Sequence, residues 1–270
     1  MNANKALWEK GDFTRIAASM RESGDALVES LGIGSGMKVL DLGCGDGTTA
    51  IPAAKRGADV LGVDIASNLV AAGNRRAEEA GLANVRFQEG DASALGDVAD
   101  GSYDLVMSVF GAMFAPRPAD VAKEMYRAAR PGGRVFMGNW IPNDPTLVAQ
   151  ILRISSAYSP PPPEGFISPM TWGVEEHVIE RFTAAGAAAE NISFERDTFT
   201  FRFDGTPAAL VETFRRYYGP TMNAFDAAAA NGKEEQLAAE LTELFEKENR
   251  GNGTGKTVIP ATYLRVAVAK

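Results

Sequence analysis

The segment MKVLDLGCGDG, residues 37–47, joins a short apolar run to a cluster of three glycines. The run contains one acid, Asp41, two residues before the first glycine, and a helix-like pattern follows over residues 48–56. Glycines between a strand and a helix let the backbone approach a ligand closely. The segment therefore predicts a strand, a ligand-binding loop and a helix in direct succession.

The residues that follow, up to about 140, repeat this alternation of strands and helices. Strands separated by helix-length segments favour βαβ units with a parallel sheet, and short apolar strands indicate burial on both faces. We therefore predict an α/β, Rossmann-like fold with helices on both faces of the sheet. The predicted strands are 58–63, 84–88, 103–109 and 134–137, and the predicted helices are 68–80 and 118–130.

The pattern changes after residue 140. Residues 141–173 are rich in proline and aromatic residues, which suits either an irregular connection packed on the core or a lid over a substrate. A final strand is predicted over 257–268, where Pro260 indicates an edge strand or a bulge. Between these segments the sequence predicts helices over 146–156, 174–185, 207–230 and 233–249 and a strand over 192–203.

The composition excludes several classes of protein. The 270 residues allow one large domain, and a net charge of −8 disfavours nucleic-acid binding. One cysteine and one histidine exclude a disulfide and a multi-histidine site, so we expect no metal. The longest charge-free run, residues 105–116, is shorter than the roughly 20 residues of a membrane helix, so we expect no membrane partner and a soluble, cytoplasmic protein.

The acids around the glycine loop indicate the kind of cofactor. Asp64 ends the second predicted strand, 19 residues after Gly45, where an acid can accept hydrogen bonds from a ribose diol. Asp41 and Asp46 would repel a pyrophosphate in a partly desolvated cleft. A cofactor that carries an ammonium and a sulfonium instead benefits from these acids, as S-adenosylmethionine does.

Over residues 37–139 the sequence resembles the class I S-adenosylmethionine-dependent methyltransferases, in the small-molecule group similar to the ubiquinone and menaquinone biosynthesis enzymes. The resemblance rests on five segments in order: 41–47, Asp64, 90–92, 108–110 and 130–133. It implies that the glycine loop surrounds the methionine part of the cofactor, that Asp64 holds the ribose, and that Asp91 accepts from the adenine amino group. The implied cofactor-binding residues are Asp41, Gly43, Cys44, Gly45, Asp64, Ile65, Asp91, Ala92, Ser108, Val109 and Phe110.

The resemblance also implies an architecture and an activity. A seven-stranded, mostly parallel sheet with an antiparallel last strand is expected in a single domain that transfers a methyl group from S-adenosylmethionine to a small molecule. The acceptor is expected to have apolar or aromatic character. The expected parts are an N-terminal helical cap (1–36), a cofactor-binding core (37–140), a lid (141–173) and a C-terminal half (174–270) with a helical insertion (207–249).

Other residues are candidates for work at the acceptor. His177 is the only histidine and is a candidate general base or hydrogen-bond partner of the acceptor. Trp8 or Phe13 would fold over the cofactor, as N-terminal segments do in similar methyltransferases. The candidates for lining an acceptor pocket are Tyr158, Trp172, Tyr217 and Tyr218.

Two other interpretations stay open at this point. An NAD-dependent oxidoreductase shares the glycine loop and Asp64, but Asp41 disfavours it, and Thr48 follows Gly47 so that the third glycine of G-x-G-x-x-G is missing. A protein that binds S-adenosylmethionine without turnover also fits these residues. The sequence leaves the acceptor, the methylated atom and the oligomeric state open.

Overall fold

A computed structural model describes residues 2–251 and 253–270, so that Met1 and Asn252 lie outside the description. The described residues form one seven-stranded sheet in the order β3-β2-β1-β4-β5-β7-β6. The strands are β1 (Lys38–Leu42), β2 (Asp59–Asp64), β3 (Val85–Glu89), β4 (Tyr103–Val109), β5 (Ala129–Trp140), β6 (Ile192–Phe203) and β7 (Thr257–Ala269).

The strand directions confirm the predicted topology. Strands β1 to β5 pair in parallel, and β7 runs antiparallel to both β5 and β6. The prediction that Pro260 marks an edge strand is wrong, because β7 lies between two strands. Pairing with β5 begins only at Tyr263, so Pro260 lies beyond the end of that strand and faces β6 alone. A residue without an N–H group is tolerated where one side is not paired.

The helices pack around this sheet. The longer ones include α5 on β2 and β3, and α6 on β4 and β5, as expected for βαβ units. None of the described helices is long and apolar enough to cross a membrane. The helices are α1 (Ala3–Glu9), α2 (Thr14–Ala17), α3 (Arg21–Ser30), α4 (Ala50–Lys55), α5 (Ser67–Glu79), α6 (Pro118–Ala128), α7 (Leu147–Ser156), α8 (Glu175–Ala184), α9 (Pro207–Tyr217), α10 (Gly219–Ala230) and α11 (Glu234–Glu248).

The predicted single helix over 207–230 is wrong, because the structure divides it at Tyr218. This residue has an extended backbone (φ −99°, ψ 106°) between the end of α9 and the start of α10. Pro220 lies in the first turn of α10, where its missing N–H group is tolerated, whereas inside a continuous helix it would remove a hydrogen bond. Gly219 in the first turn of α10 packs directly on α1, because a Cβ atom there would clash with the Leu7 carbonyl oxygen.

The fifth strand also begins earlier than predicted. It starts at Ala129 and contains Pro131, Gly132 and Gly133 in an irregularity opposite residues 103–105, which the sequence predicted as a turn before the strand. The segment 141–173 contributes α7 and a fully buried side chain, Trp172, which contacts Phe182. Part of the predicted lid therefore belongs to the core.

Candidate active site

A cleft opens at the carboxyl ends of β1, β2, β3 and β4, where open parallel sheets bind their ligands. We call it the main cleft. The space in the cleft, including its mouth open to solvent, is about 890 Å³. Three carboxylates and no basic side chain are among the described residues that line it. Of the predicted cofactor residues, those lining the cleft are Gly43, Cys44, Gly45, Asp64, Ile65, Asp91, Ala92, Val109 and Phe110.

The glycine loop leaves the floor of the main cleft bare. An ideal Cβ atom on Gly43 would lie 2.6 Å from the Gly111 backbone, so the loop after β1 packs directly on the loop after β4. Gly45 has a φ of +56°, and Phe13 at 3.9 Å is the nearest atom that a Cβ atom there would meet. A ligand can therefore reach the backbone of this loop without displacing a side chain.

Asp64 fixes the position of the glycine loop. Its buried carboxylate accepts hydrogen bonds from the Gly45 N–H at 2.8 Å and from the Ala66 N–H at 2.9 Å. Burial raises the pKa of Asp64, and the backbone hydrogen bonds oppose this increase. Each carboxylate oxygen has a further lone pair. Asp64 can therefore hold the loop and also accept a hydrogen bond from a ligand hydroxyl.

Asp41 and Ser108 lie behind the surface of the main cleft and do not line it. Asp41 is buried and accepts a hydrogen bond from the Thr49 hydroxyl at 2.6 Å through Oδ2, while its Oδ1 has no partner among the described residues. Burial raises the pKa of Asp41 to about 7. The Ser108 hydroxyl donates to the Leu42 carbonyl at 2.7 Å and accepts from the Ala112 N–H at 2.8 Å. Ser108 thus ties β1 to the loop after β4.

Asp46 does not contribute a free negative charge to the loop. Arg21 forms an ion pair with its Oδ2, and a nitrogen of Arg76 lies 3.7 Å from its Oδ1. These two guanidinium groups offset the charge of Asp46, so it repels a phosphate less than the sequence predicted. The two arginines lie 25 and 30 residues from Asp46 along the chain. Asp41 and Asp64 would still disfavour a phosphate, because both are buried carboxylates without a basic partner among the described residues.

Asp91 lies at the far side of the main cleft, after β3. Its Oδ1 accepts hydrogen bonds from the Ser93 N–H at 2.8 Å and the Ser93 hydroxyl at 2.6 Å. Its Oδ2 lies 3.6 Å from an Arg117 nitrogen, and about a third of the side chain is exposed. The apolar side chains of Ile65 and Leu69 line the cleft as well.

The N-terminal strap, residues 3–13, crosses the mouth of the main cleft. Glu9 accepts hydrogen bonds from the N–H and hydroxyl of Ser67 at 3.0 and 2.6 Å, at the start of α5. Lys10 contacts Asp226 on α10 at 2.5 Å, on the other side. The strap is thus attached to two helices by polar contacts, and it places Trp8 and Phe13 in the lining of the cleft.

A second cavity, which we call the aromatic cavity, lies next to the main cleft, and its space including the opening to solvent is about 460 Å³. The two share Trp8, Phe13, Met20 and Phe110 as lining residues. No charged side chain is among the described residues around it. The lining is Trp8, Phe13, Ile16, Met20, Phe110, Phe114, Trp140, Val148, Ile151, Leu152, Phe201, Phe214 and Tyr218.

Phe110 forms the wall between the two cavities in an unusual conformation. Its φ of +58° falls in the left-handed region, which bulky residues seldom adopt. A hydrogen bond from its N–H to the Gly138 carbonyl at 2.9 Å holds the backbone, and its ring stacks on Trp140 with centroids 3.7 Å apart. Strain of this kind persists where the surroundings impose it, often at functional sites.

The structure separates the predicted acceptor residues. His177 lies on the first turn of α8, about half exposed, with Nδ1 3.7 Å from Glu180, and it lines neither cavity. Its role as a base stays a prediction without support from this geometry. Tyr218 lines the aromatic cavity, whereas the Tyr158 hydroxyl donates to Glu240 at 2.7 Å and Trp172 is part of the core. Tyr217, like Tyr158 and Trp172, does not line either cavity.

Sequence reasoning missed most of the aromatic cavity. Trp140, Phe201 and Phe214 come from three separate elements, and none of them lies in a motif. The one available signal was the apolar face of the helix predicted over 146–156, which supplies Val148, Ile151 and Leu152 in α7.

Comparisons with known proteins identify the family of this chain. Residues 39–133 match a family model described as a methyltransferase domain. Uncharacterized protein Rv1403c of Mycobacterium tuberculosis is 34% identical over 243 residues, 89% of this chain and 86% of that protein. A ubiquinone biosynthesis O-methyltransferase of Acinetobacter baumannii is 36% identical over 102 residues, 38% of this chain and 43% of that protein.

A solved structure has the same fold. Phosphoethanolamine N-methyltransferase 2 of Haemonchus contortus, in complex with phosphomonomethylethanolamine and S-adenosylhomocysteine, superposes with a TM-score of 0.63 at 16% identity. The match covers 100% of this chain and 60% of that one. The sheet order, the matched domain and the relatives together exclude the oxidoreductase interpretation, and the chain belongs to the class I S-adenosylmethionine-dependent methyltransferases.

Proposed function

We propose that the enzyme holds S-adenosylmethionine in the main cleft and methylates a small, apolar acceptor bound in the aromatic cavity. The observation that carries this proposal is the shared wall. Both cavities are lined by Trp8, Phe13, Met20 and Phe110, so that ligands bound in the two would lie next to each other. The two cavities differ in polarity, as a cationic cofactor and an apolar acceptor require.

The residues of the main cleft fit the parts of the cofactor. Asp64 can accept hydrogen bonds from the ribose hydroxyls while its carboxylate still holds the Gly45 N–H. Asp91 can accept from the adenine amino group, with Ile65 against the ring. The buried, unpartnered Oδ1 of Asp41 lies behind the glycine loop, where a carboxylate favours a nearby ammonium.

The cofactor supplies a methyl group on a positively charged sulfur, which is already an activated leaving group. The task left to the protein is to orient the acceptor and exclude water, and orientation alone can supply about 7–11 kcal/mol of the barrier. Phe110, held by Gly138 and Trp140, gives the shared wall a fixed geometry. Trp8 and Phe13 on the N-terminal strap cover the same region from outside.

The lining of the aromatic cavity favours an acceptor unlike that of the Haemonchus enzyme. Phosphomonomethylethanolamine, bound in that structure, carries a phosphate and an amine. Burying such charges without partners costs several kcal/mol or more. The aromatic cavity offers no charged side chain among its lining residues, and its aromatic rings suit stacking and edge contacts with an apolar ring.

The first experiment is calorimetric titration of the full chain with S-adenosylhomocysteine, with NAD as the control ligand. We expect micromolar binding of the former and no binding of the latter. Methyl transfer from labelled S-adenosylmethionine is then measured with apolar phenols, indoles and quinols against charged amines and carboxylates. Failure of S-adenosylhomocysteine to bind, or methylation confined to the charged compounds, would contradict the proposal.

A further inference from the structure

Among the described residues that line the aromatic cavity, Tyr218 is the one whose side chain carries an oxygen. The other polar side-chain groups of this lining are the indole N–H groups of Trp8 and Trp140, which only donate hydrogen bonds. Within the part of the lining that the structure describes, Tyr218 is also the one ionisable residue. A ligand in this cavity therefore meets one group that can both donate and accept.

The fold positions Tyr218 without giving its hydroxyl a protein partner. The extended residue between α9 and α10 directs the ring against Trp8, Phe13 and Phe214, with centroids 5.9, 6.0 and 5.5 Å away. Its hydroxyl makes no hydrogen bond to any described residue.

Two other tyrosines show the contrast. The Tyr158 hydroxyl bonds to Glu240 at 2.7 Å, and the Tyr263 hydroxyl bonds to Asp197 at 3.0 Å. Tyr218 is half-buried, so its hydroxyl is available to exchange water for a hydrogen bond to a ligand oxygen.

We propose that the Tyr218 hydroxyl forms a hydrogen bond with an oxygen of the acceptor, and so selects uncharged aromatic acceptors that carry a hydroxyl or carbonyl group. This inference rests on the proposed function, because it takes the aromatic cavity as the acceptor site. Burial raises the pKa of the Tyr218 phenol, so it stays protonated at neutral pH. Tyr218 is thus a positioning residue and does not act as a base.

The test uses two probes that differ by one hydroxyl, 1-naphthol and naphthalene, bound to the full chain saturated with S-adenosylhomocysteine. Quenching of probe fluorescence gives the dissociation constants for wild type and for Tyr218→Phe. A hydrogen bond of ordinary strength predicts that wild type prefers 1-naphthol by roughly twofold to tenfold beyond the preference in the variant. The affinity of Tyr218→Phe for naphthalene and for S-adenosylhomocysteine should match that of wild type.

Two further variants show where the probes bind. Leu152→Glu places a charge in the lining of the aromatic cavity and should abolish binding of both probes. Arg153→Glu, the next residue on the exposed side of α7, should leave binding unchanged. The charged analogue 1-naphthylmethylammonium should bind at least tenfold more weakly than 1-naphthol, since an unpaired buried charge costs well over 1.4 kcal/mol.

Each outcome bears on one proposal. If Tyr218→Phe keeps the full preference for 1-naphthol, or if the ammonium probe binds as well as 1-naphthol, the role of Tyr218 is refuted while the cofactor site stands. Probe binding that survives Leu152→Glu refutes the assignment of the cavity. Absence of S-adenosylhomocysteine binding in wild type instead refutes the proposed function itself.

Discussion

Replacing Gly111 by alanine tests the backbone contact that shapes the main cleft. A Cβ atom at Gly111 would lie 2.2 Å from the Gly43 carbonyl oxygen and 2.7 Å from the Gly43 Cα, and both distances are well below the 3.4 Å at which ordinary contact begins. Both neighbours are backbone atoms, so the two loops must separate. Overpacking of this kind costs about 1–3 kcal/mol of unfolding free energy.

The same displacement should reach the cofactor. Gly43 lines the main cleft, so a shift of its loop moves the backbone that a ligand contacts. A loss of about 1.4 kcal/mol of binding free energy through this strain equals a tenfold loss of affinity. We therefore expect Gly111→Ala to lower the affinity for S-adenosylhomocysteine by roughly tenfold or more, measured by calorimetry, alongside the lower stability in urea unfolding.

Gly34→Ala is the matched control. No heavy atom lies within 4 Å of a Cβ atom at Gly34, and its φ is not in the positive range. This variant should bind S-adenosylhomocysteine as wild type does and should be equally stable or slightly more so. Indistinguishable stability and affinity in Gly111→Ala and Gly34→Ala would refute the role given to the contact between the two loops.

Three further predictions concern the main cleft. Asp91→Ala should weaken S-adenosylhomocysteine binding by about tenfold to a hundredfold, the loss of one hydrogen bond to a charged group, while Asp120→Ala, which removes another Arg117 partner outside the cleft, should not. Burial raises the pKa of Asp41 from 3.8 to about 7, so the folded state retains a proton that the unfolded state loses and unfolding free energy should fall as pH rises from about 4 to 7. Asp41→Asn should reduce the total fall in unfolding free energy over this pH range by at most about 4 kcal/mol. An unchanged pH dependence in urea unfolding would contradict the burial argument. S-adenosylhomocysteine should change the intrinsic fluorescence of wild type, and Trp8→Phe should remove most of that change, because Trp8 lines the cleft whereas the buried Trp140 and Trp172 do not.

Much of the lining of the main cleft was predictable because its sequence signals are local. The glycine loop, the strand-ending Asp64 and the 90–92 segment each lie at the end of a strand, and parallel strands bring those ends to one edge. The spacing of residues in the sequence could not predict how far each side chain lies behind the cleft surface. Asp41 has the predicted position along β1, but its carboxylate bonds to Thr49 and lies behind the cleft surface. Ser108 likewise bonds to backbone groups of the neighbouring loops.

The aromatic cavity could not be predicted, because it is assembled from segments distant in the sequence. Trp8, Phe110, Trp140 and Tyr218 come from the strap, the loop after β4, β5 and the break between α9 and α10. An aromatic residue in each segment, taken alone, indicates core packing as readily as a binding wall. His177 shows the opposite case: its chemistry made it a candidate, while its position on the exposed start of α8 removes it from both cavities.

Part of the aromatic cavity comes from segments that do not reach the main cleft, and this has an evolutionary consequence. The matched methyltransferase domain spans 39–133, whereas α7 and α9 lie beyond it and contribute to the aromatic cavity alone. Substitutions in those two helices can reshape the proposed acceptor site while every residue that lines the main cleft stays the same. Under the proposed function, related enzymes can therefore exchange one acceptor for another while they keep the same methyl donor.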